Sequence, residues 1–178
     1  MKTELTIEPQ ETKRYSLEIA LTRIAFGLIW SIDAYFKWQP AFANHFVDYL
    51  KGTFDGQPVV IQAWLNLWIS FVSLNPHLFA WIVALSETGI AIGLLLGLFS
   101  NLTFAGGSLL SLIIWAVPEG FGGPYTPGAT DIGTGIIYVF VFLGLFLLSA
   151  GQYYGLDRSL RFKLGRYKFL SSGPIENR

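Results

Sequence analysis

The chain has no cysteine, one methionine and two histidines, and only 13% of its 178 residues are charged. Each shortage closes off a class of protein. Without cysteine there is no disulfide framework, no thiol nucleophile, no iron–sulfur cluster and no cysteine-ligated zinc. The two histidines, His45 and His77, lie on different segments, so a bis-histidine haem or histidine-rich metal site has no second pair to complete it. The Walker A sequence, the G-x-G-x-x-G fingerprint, HExxH and GxSxG are all missing, which removes the usual soluble-enzyme motifs. No haem, metal or flavin site is expected. Soluble domains carry about 25% charged residues, and this chain falls far below that. Its 12 basic and 12 acidic side chains cancel, so it has no overall basic field to attract nucleic acid.

What the sequence has in abundance is apolar and aromatic surface: 52% hydrophobic and 16% aromatic residues, with a mean hydropathy of +0.48. A membrane-crossing helix needs about 20 predominantly apolar residues. Residues 78–99, 102–117 and 132–150 read as such spans, and 17–36 reads as a fourth that contains Arg23 and Asp33. Between the first two, residues 59–74 place Gln62, Asn66, Ser70 and Ser73 at helical spacing beside Trp64, Leu67, Trp68 and Phe71. That pattern predicts an amphipathic helix in the membrane interface. The expected fold is therefore an all-α membrane protein: one four-helix transmembrane bundle with an outer interfacial helix between the first and second spans. Lysine and arginine concentrate in the N-terminal tail (Lys2, Lys13, Arg14) and in the tail over 151–178, which predicts cytoplasmic termini in a multi-pass plasma-membrane protein. Beside a membrane, the basic C-terminal tail with Phe162, Tyr167 and Phe169 reads as a surface for anionic lipid rather than nucleic acid.

Ionisable groups inside such spans are functional candidates. Arg23, Gly27, Trp30, Ala34 and Lys37 fall near one stripe of the first helix, with Asp33 at its edge and one turn before Lys37. Glu87 sits mid-way along the second span, with Arg23 as its expected partner. The competing reading is a buried ion pair that only fixes helix register. Gly89, Gly93 and Gly97 form two overlapping GxxxG units that predict close helix packing, with Ala105 to Ser108 as counterparts. Residues 118–134 hold three prolines and five glycines; this stiff outer loop reads as a site wall or a rigid connector. Its amides could receive an anion, and Thr130 or Asp131 is expected to cap the fourth span.

Arg23-x3-Gly27-x2-Trp30, followed by Asp33 and Phe36-Lys37-Trp38, then Glu87 with Gly97, and the exit from Gly151 to Asp157, resemble the DoxX and DoxD superfamily of small four-helix membrane proteins. The aromatic exit of the first span and Phe121 to Tyr125 are most similar to the DoxD type, that of the small membrane subunit of thiosulfate:quinone oxidoreductase. The resemblance implies electron transfer from thiosulfate at the outer face to a membrane quinone, with a second subunit or soluble redox partner. Under that implication Glu87, Arg23 and Asp33 are the expected catalytic groups, and Lys37, Trp30, Trp38, Trp115, Tyr125 and Asp131 the expected substrate contacts. Two other readings stand beside it: a non-catalytic membrane scaffold for a soluble redox enzyme, and a small transporter. Homo-oligomerisation is compatible with each.

Overall fold

The computed structural model describes residues 9–173, with side chains described from Lys13 onward; Lys2 and Arg178 lie outside the described residues. The described chain is all-helical, with no strand among these residues. Eight α-helices follow in order: α1 (Pro9–Lys37), α2 (Pro40–Asn44), α3 (Phe46–Lys51), α4 (Val59–Val72), α5 (Pro76–Leu96), α6 (Ser100–Ala116), α7 (Thr134–Leu147) and α8 (Asp157–Leu160). By length and composition, Lys13–Lys37 and Pro76–Leu96 can each cross a membrane, while α4, α6 and α7 are shorter apolar helices.

Local chemistry sets the ends of these helices. The Asn75 side chain accepts from the Leu78 N–H and Pro76 occupies the first turn, so α5 starts there. At its other end Gly97 takes a left-handed conformation (φ +59°) and stops the helix before Phe99. Gly133 (φ +91°) delays the start of α7 to Thr134, two residues after the expected Ile132. The two short helices α2 and α3 are not evident from apolar run length, yet their signal exists: Pro40 opens α2, and Phe42, Phe46 and Leu50 recur every fourth residue.

Helix α1 packs along α5, α6 packs along α7, and α5 meets α6 more loosely. Phe26 and Trp30 of α1, Ile90 and Leu94 of α5, Phe104 of α6 and Phe142 of α7 share one buried cluster. Phe26 meets Phe142 edge-on at 4.9 Å between centroids, and Trp30 lies 5.4 Å from Phe142, in the favourable range for aromatic pairs. A second cluster joins Phe46, Leu50, Val72, Ala80 and Val117 at the end of the molecule where α1 finishes.

The interior is mainly apolar, and much of the exterior is apolar as well. Leu28 and Ile32 on α1, Trp81 and Leu85 on α5, Leu109 on α6, and Phe140 and Leu147 on α7 are all exposed, whereas Arg23, Glu87, Ser100, Ser111 and Asp157 are buried.

The expected glycine face divides into separate roles. A Cβ at Gly93 would collide with Thr103, which is a close α5–α6 contact, but Gly97 is the cap of α5 beside Arg23 and Gly155. Gly89 and Gly106 face open space, and Gly107 receives Phe142. The single GxxxG packing stripe is thus corrected to one tight contact, one cap and an open groove of about 670 Å³ lined by Gly89, Gly93 and Gly106.

The segment after α7 folds back as part of the structure. Leu156 and Asp157 N–H groups donate to the Leu96 and Gly97 carbonyls (3.0 and 2.9 Å). Buried Asp157 accepts from the Ser100 N–H at the start of α6 (2.9 Å) and from the Ser172 N–H (2.8 Å), a cap delivered from a distant residue. Asn101 Nδ2 donates to the Phe169 and Ser171 carbonyls.

Candidate functional site

Lys37 is the last residue of α1, and Glu87 lies mid-way along α5. Because α1 and α5 pack closely, the Lys37 side chain reaches back along the helix pair, and its Nζ stands 3.4 Å from Glu87 Oε2. The Glu87 side chain is 2% exposed and that of Lys37 24%. The ammonium also lies 5.4 Å from the centroid of the Phe42 ring, within cation–π range. Charge-assisted hydrogen bonds run about 2.7–2.9 Å, so the pair is long, and Glu87 Oε2 has no hydrogen-bond donor among the described residues.

This pair lines a cavity of about 690 Å³ formed by the end of α1, by α2 to α4, and by facing parts of α5 and α6. Its walls are mainly apolar: Phe36, Phe42, Phe46, Tyr49, Leu50, Val72, Phe79, Ile82, Val83, Leu110, Ile113, Ile114 and Val117. Polar groups are few: Lys37, Glu87, Gln39 and Trp68, whose buried indole N–H also has no partner among the described residues. The volume falls in the range of small-molecule sites, and an apolar enclosure with a few convergent polar groups is their usual form. Such a cavity can take a lipophilic molecule and fix an oxygen-bearing head at the ion pair.

Arg23 is not the partner of Glu87. It is fully buried at the opposite end of the α1–α5 pair, where Nη1 donates to the carbonyls of Leu94 (2.5 Å) and Leu95 (3.4 Å) and Nη2 to those of Tyr153 (3.2 Å) and Tyr154 (3.4 Å). The last carbonyls of a helix lack intrahelical donors and carry its negative end, so they draw a guanidinium more directly than a carboxylate two turns away. Asp33 is half-buried one turn before Lys37, whose ion pair is with Glu87.

The other expected contacts are dispersed. Trp30 is in the aromatic core, outside the cavity wall. Trp38 is exposed, donates to Thr88 Oγ1 (2.9 Å) and packs on Trp81. Trp115 donates to the Ile132 carbonyl (2.8 Å) and meets Phe121 edge-on. Tyr125 is exposed, its hydroxyl on the Phe121 carbonyl. Asp131 is exposed and accepts from the Gly133 N–H (2.8 Å) without capping α7.

The cap of α7 is Glu119, which accepts from the Gly135 N–H at 3.0 and 3.1 Å and from Thr134 Oγ1 at 2.9 Å. An internal carboxylate already fills the place where the outer loop was expected to receive an anion, which corrects that reading. The structure therefore joins Lys37 and Glu87 at one cavity and leaves Arg23, Trp30, Trp38, Trp115, Tyr125 and Asp131 away from it. Gln39, Phe42, Tyr49, Trp68 and Phe79 are cavity residues that sequence reasoning did not single out. The spacing of Phe42, Phe46 and Tyr49 just after Lys37 was the available signal.

In comparisons with known proteins the chain matches no family model, no curated protein and no solved structure.

Proposed function

We propose that this chain is a multi-pass protein of the cell membrane that binds a membrane quinone in the Lys37–Glu87 cavity and acts as the membrane subunit of a quinone-linked oxidoreductase. The observation that carries the reading is the cavity itself: about 690 Å³ of mainly apolar wall with one buried, incompletely paired carboxylate and one ammonium.

Membrane insertion of α1, α5, α6 and α7 is supported by their exposed apolar faces and buried ionisable groups, an order that hydrocarbon favours and water opposes. Helices α6 and α7 have 17 and 14 residues, or about 25 and 21 Å at 1.5 Å per residue. That is short of the roughly 30 Å hydrocarbon core, so the turns at Gly133 and Ser149 to Gln152 would complete the crossing or the bilayer would thin locally. Helix α4 then lies in the outer interface. The N-terminus and the tail face the cytoplasm, where Arg158, Lys163, Arg166 and Lys168, exposed together with Phe162 and Phe169, meet anionic headgroups.

Reducing a quinone takes two electrons and two protons. A ring oxygen held by the Lys37 ammonium would gain stabilisation as negative charge develops, a Glu87 carboxyl beside it would pass one proton, and water would supply the second and reprotonate Glu87. The two electrons would come from a sulfur donor, on the family resemblance two thiosulfate ions that join through a new sulfur–sulfur bond as each gives up one electron, handled with a partner subunit at the outer face. Arg23 has no part in this step and is a structural group.

The test is binding and turnover in proteoliposomes. Full-length protein, reconstituted with and without its co-purifying partner, is titrated with a short-chain quinone. Saturable binding that weakens at least tenfold in Lys37→Met and in a cavity-filling Val83→Trp variant is expected. Equal binding by all three proteins, or none by the native chain, would remove the basis of the proposal.

A further inference from the structure

The ion pair at the cavity wall is unfinished in a way that specifies a ligand group. Glu87 is 1% exposed, lines the cavity, and its Oε2 has no hydrogen-bond donor among the described residues, with the Lys37 ammonium held off at 3.4 Å. A buried carboxylate oxygen left without a donor is unfavourable by the full desolvation of that group. The protein tolerates it where something else supplies the hydrogen. The surrounding walls are apolar and aromatic, Phe42 and Phe79 among them, which suits a lipophilic molecule as the supplier.

From this we infer that the cavity prefers the hydroxyl-bearing, reduced form of its ring ligand, a quinol over a quinone, with Glu87 as the residue that sets the preference. The inference rests on the quinone-site reading above. A quinol hydroxyl donates to the Glu87 carboxylate, and its own oxygen stays free to accept from Lys37. A quinone has carbonyl oxygens only. It can accept from Lys37, yet it presents lone pairs to the ionised carboxylate, the form Glu87 takes once it has passed its proton, so it is repelled at the same place where the quinol is held. Binding selectivity of this kind follows the general rule that a site built to hydrogen-bond a hydroxyl rejects the analogue lacking it more strongly than an apolar pocket rejects a change of size. The consequence for turnover is retention of the reduced ligand: reduced product leaves slowly unless Glu87 loses its charge or the membrane pool draws the product away.

The experiment is an anaerobic competition measurement on the reconstituted full-length protein with three compounds of one ring and one short isoprenoid chain: the quinol, the quinone and the quinol dimethyl ether, which keeps the ring and removes both donors. A hydrogen bond to a charged acceptor corresponds to roughly a ten- to hundredfold change in affinity. The quinol is expected to bind that much more tightly than either other compound. In Glu87→Gln, whose amide offers donor and acceptor alike, the ratio should collapse to within about threefold. The native-protein comparison decides the matter even if that variant fails to fold. Equal binding of all three compounds, or tighter binding of the quinone, overturns the preference and leaves the quinone-site reading standing; binding of none of them overturns both.

Discussion

The two buried cation sites of this molecule sit at opposite ends of the α1–α5 pair and are built on opposite principles. At one end Arg23 is fully buried and its two terminal nitrogens reach four carbonyls, from Leu94, Leu95, Tyr153 and Tyr154. At the other end Lys37 is partly exposed, meets Glu87 at 3.4 Å and leaves that carboxylate oxygen without a donor at the edge of a cavity. The first ties a helix end to the segment folded beneath it through the two terminal nitrogens, with Nε unpaired among the described residues. The second lies at the wall of a mainly apolar cavity. A buried charge is thus not in itself a sign of chemistry; what distinguishes the candidate site is that its ion pair forms part of the wall of a cavity.

That contrast can be broken from the structural end first. Arg23→Leu leaves four carbonyls of a buried site short of donors, at about 1–3 kcal/mol for each group left unsatisfied. A loss exceeding about 3 kcal/mol is expected, seen as a large fall in thermal midpoint in detergent and loss of a monodisperse peak. A well-folded variant would show that the arginine is not structural. Asp157→Ala acts at the same end and comes next. It removes the shared acceptor of the Ser100 and Ser172 N–H groups and should destabilise by about 2 kcal/mol. Trypsin should then cut rapidly among Arg161, Lys163 and Arg166, while the native tail resists.

A smaller effect separates the two kinds of glycine between the ends. Gly93→Ala must push against Thr103 and is expected to lose about 1–2 kcal/mol by overpacking. Gly89→Ala meets nothing within 4 Å and should be neutral or more stable by up to about 1 kcal/mol through helix propensity. Equal thermal midpoints for the two variants would erase the distinction between the tight contact and the open groove.

At the cavity end the expected effect is smaller: Glu87→Gln should alter stability by only about 1 kcal/mol, because its partner Lys37 keeps access to solvent. Ligand binding, rather than folding, is where that variant should differ. The smallest structural effect is expected for Lys163→Glu with Arg166→Glu, within about 0.5 kcal/mol of native stability. Its signature would be in lipid: about 1 kcal/mol of attraction per cation lost near an anionic surface, read as reduced quenching of a Phe162→Trp probe by brominated anionic lipid.

Much of the helical plan was legible because apolar run length and the punctuation by Asn75, Pro76 and Gly97 are local signals. So was Glu87 as a candidate, since an acid deep in an apolar run stands out, and it is buried at the cavity wall. Its partner was not legible. Arg23 and Lys37 share a stripe of α1, and the choice between them depends on how far α1 slides along α5 and on the carbonyls at the α5 end, both tertiary facts. The Glu119 cap of α7 was hidden for the same reason, because Thr130 and Asp131 are nearer in sequence while Glu119 is nearer in space. The short helices α2 and α3 were concealed by their length, although their Phe42–Phe46–Leu50 spacing carried the pattern that forms one cavity wall.

The decisive question is where a quinone-like molecule binds. Photoaffinity labelling of the native chain in proteoliposomes with an azido-quinone, followed by mapping of the adducts, decides it. Adducts on Phe42, Phe79 or Ile114, displaced by unlabelled quinol and lost in Val83→Trp, are the predicted result. Labelling confined to the α5–α6 groove around Gly89 and Gly106, or labelling that unlabelled quinol does not displace, would contradict it.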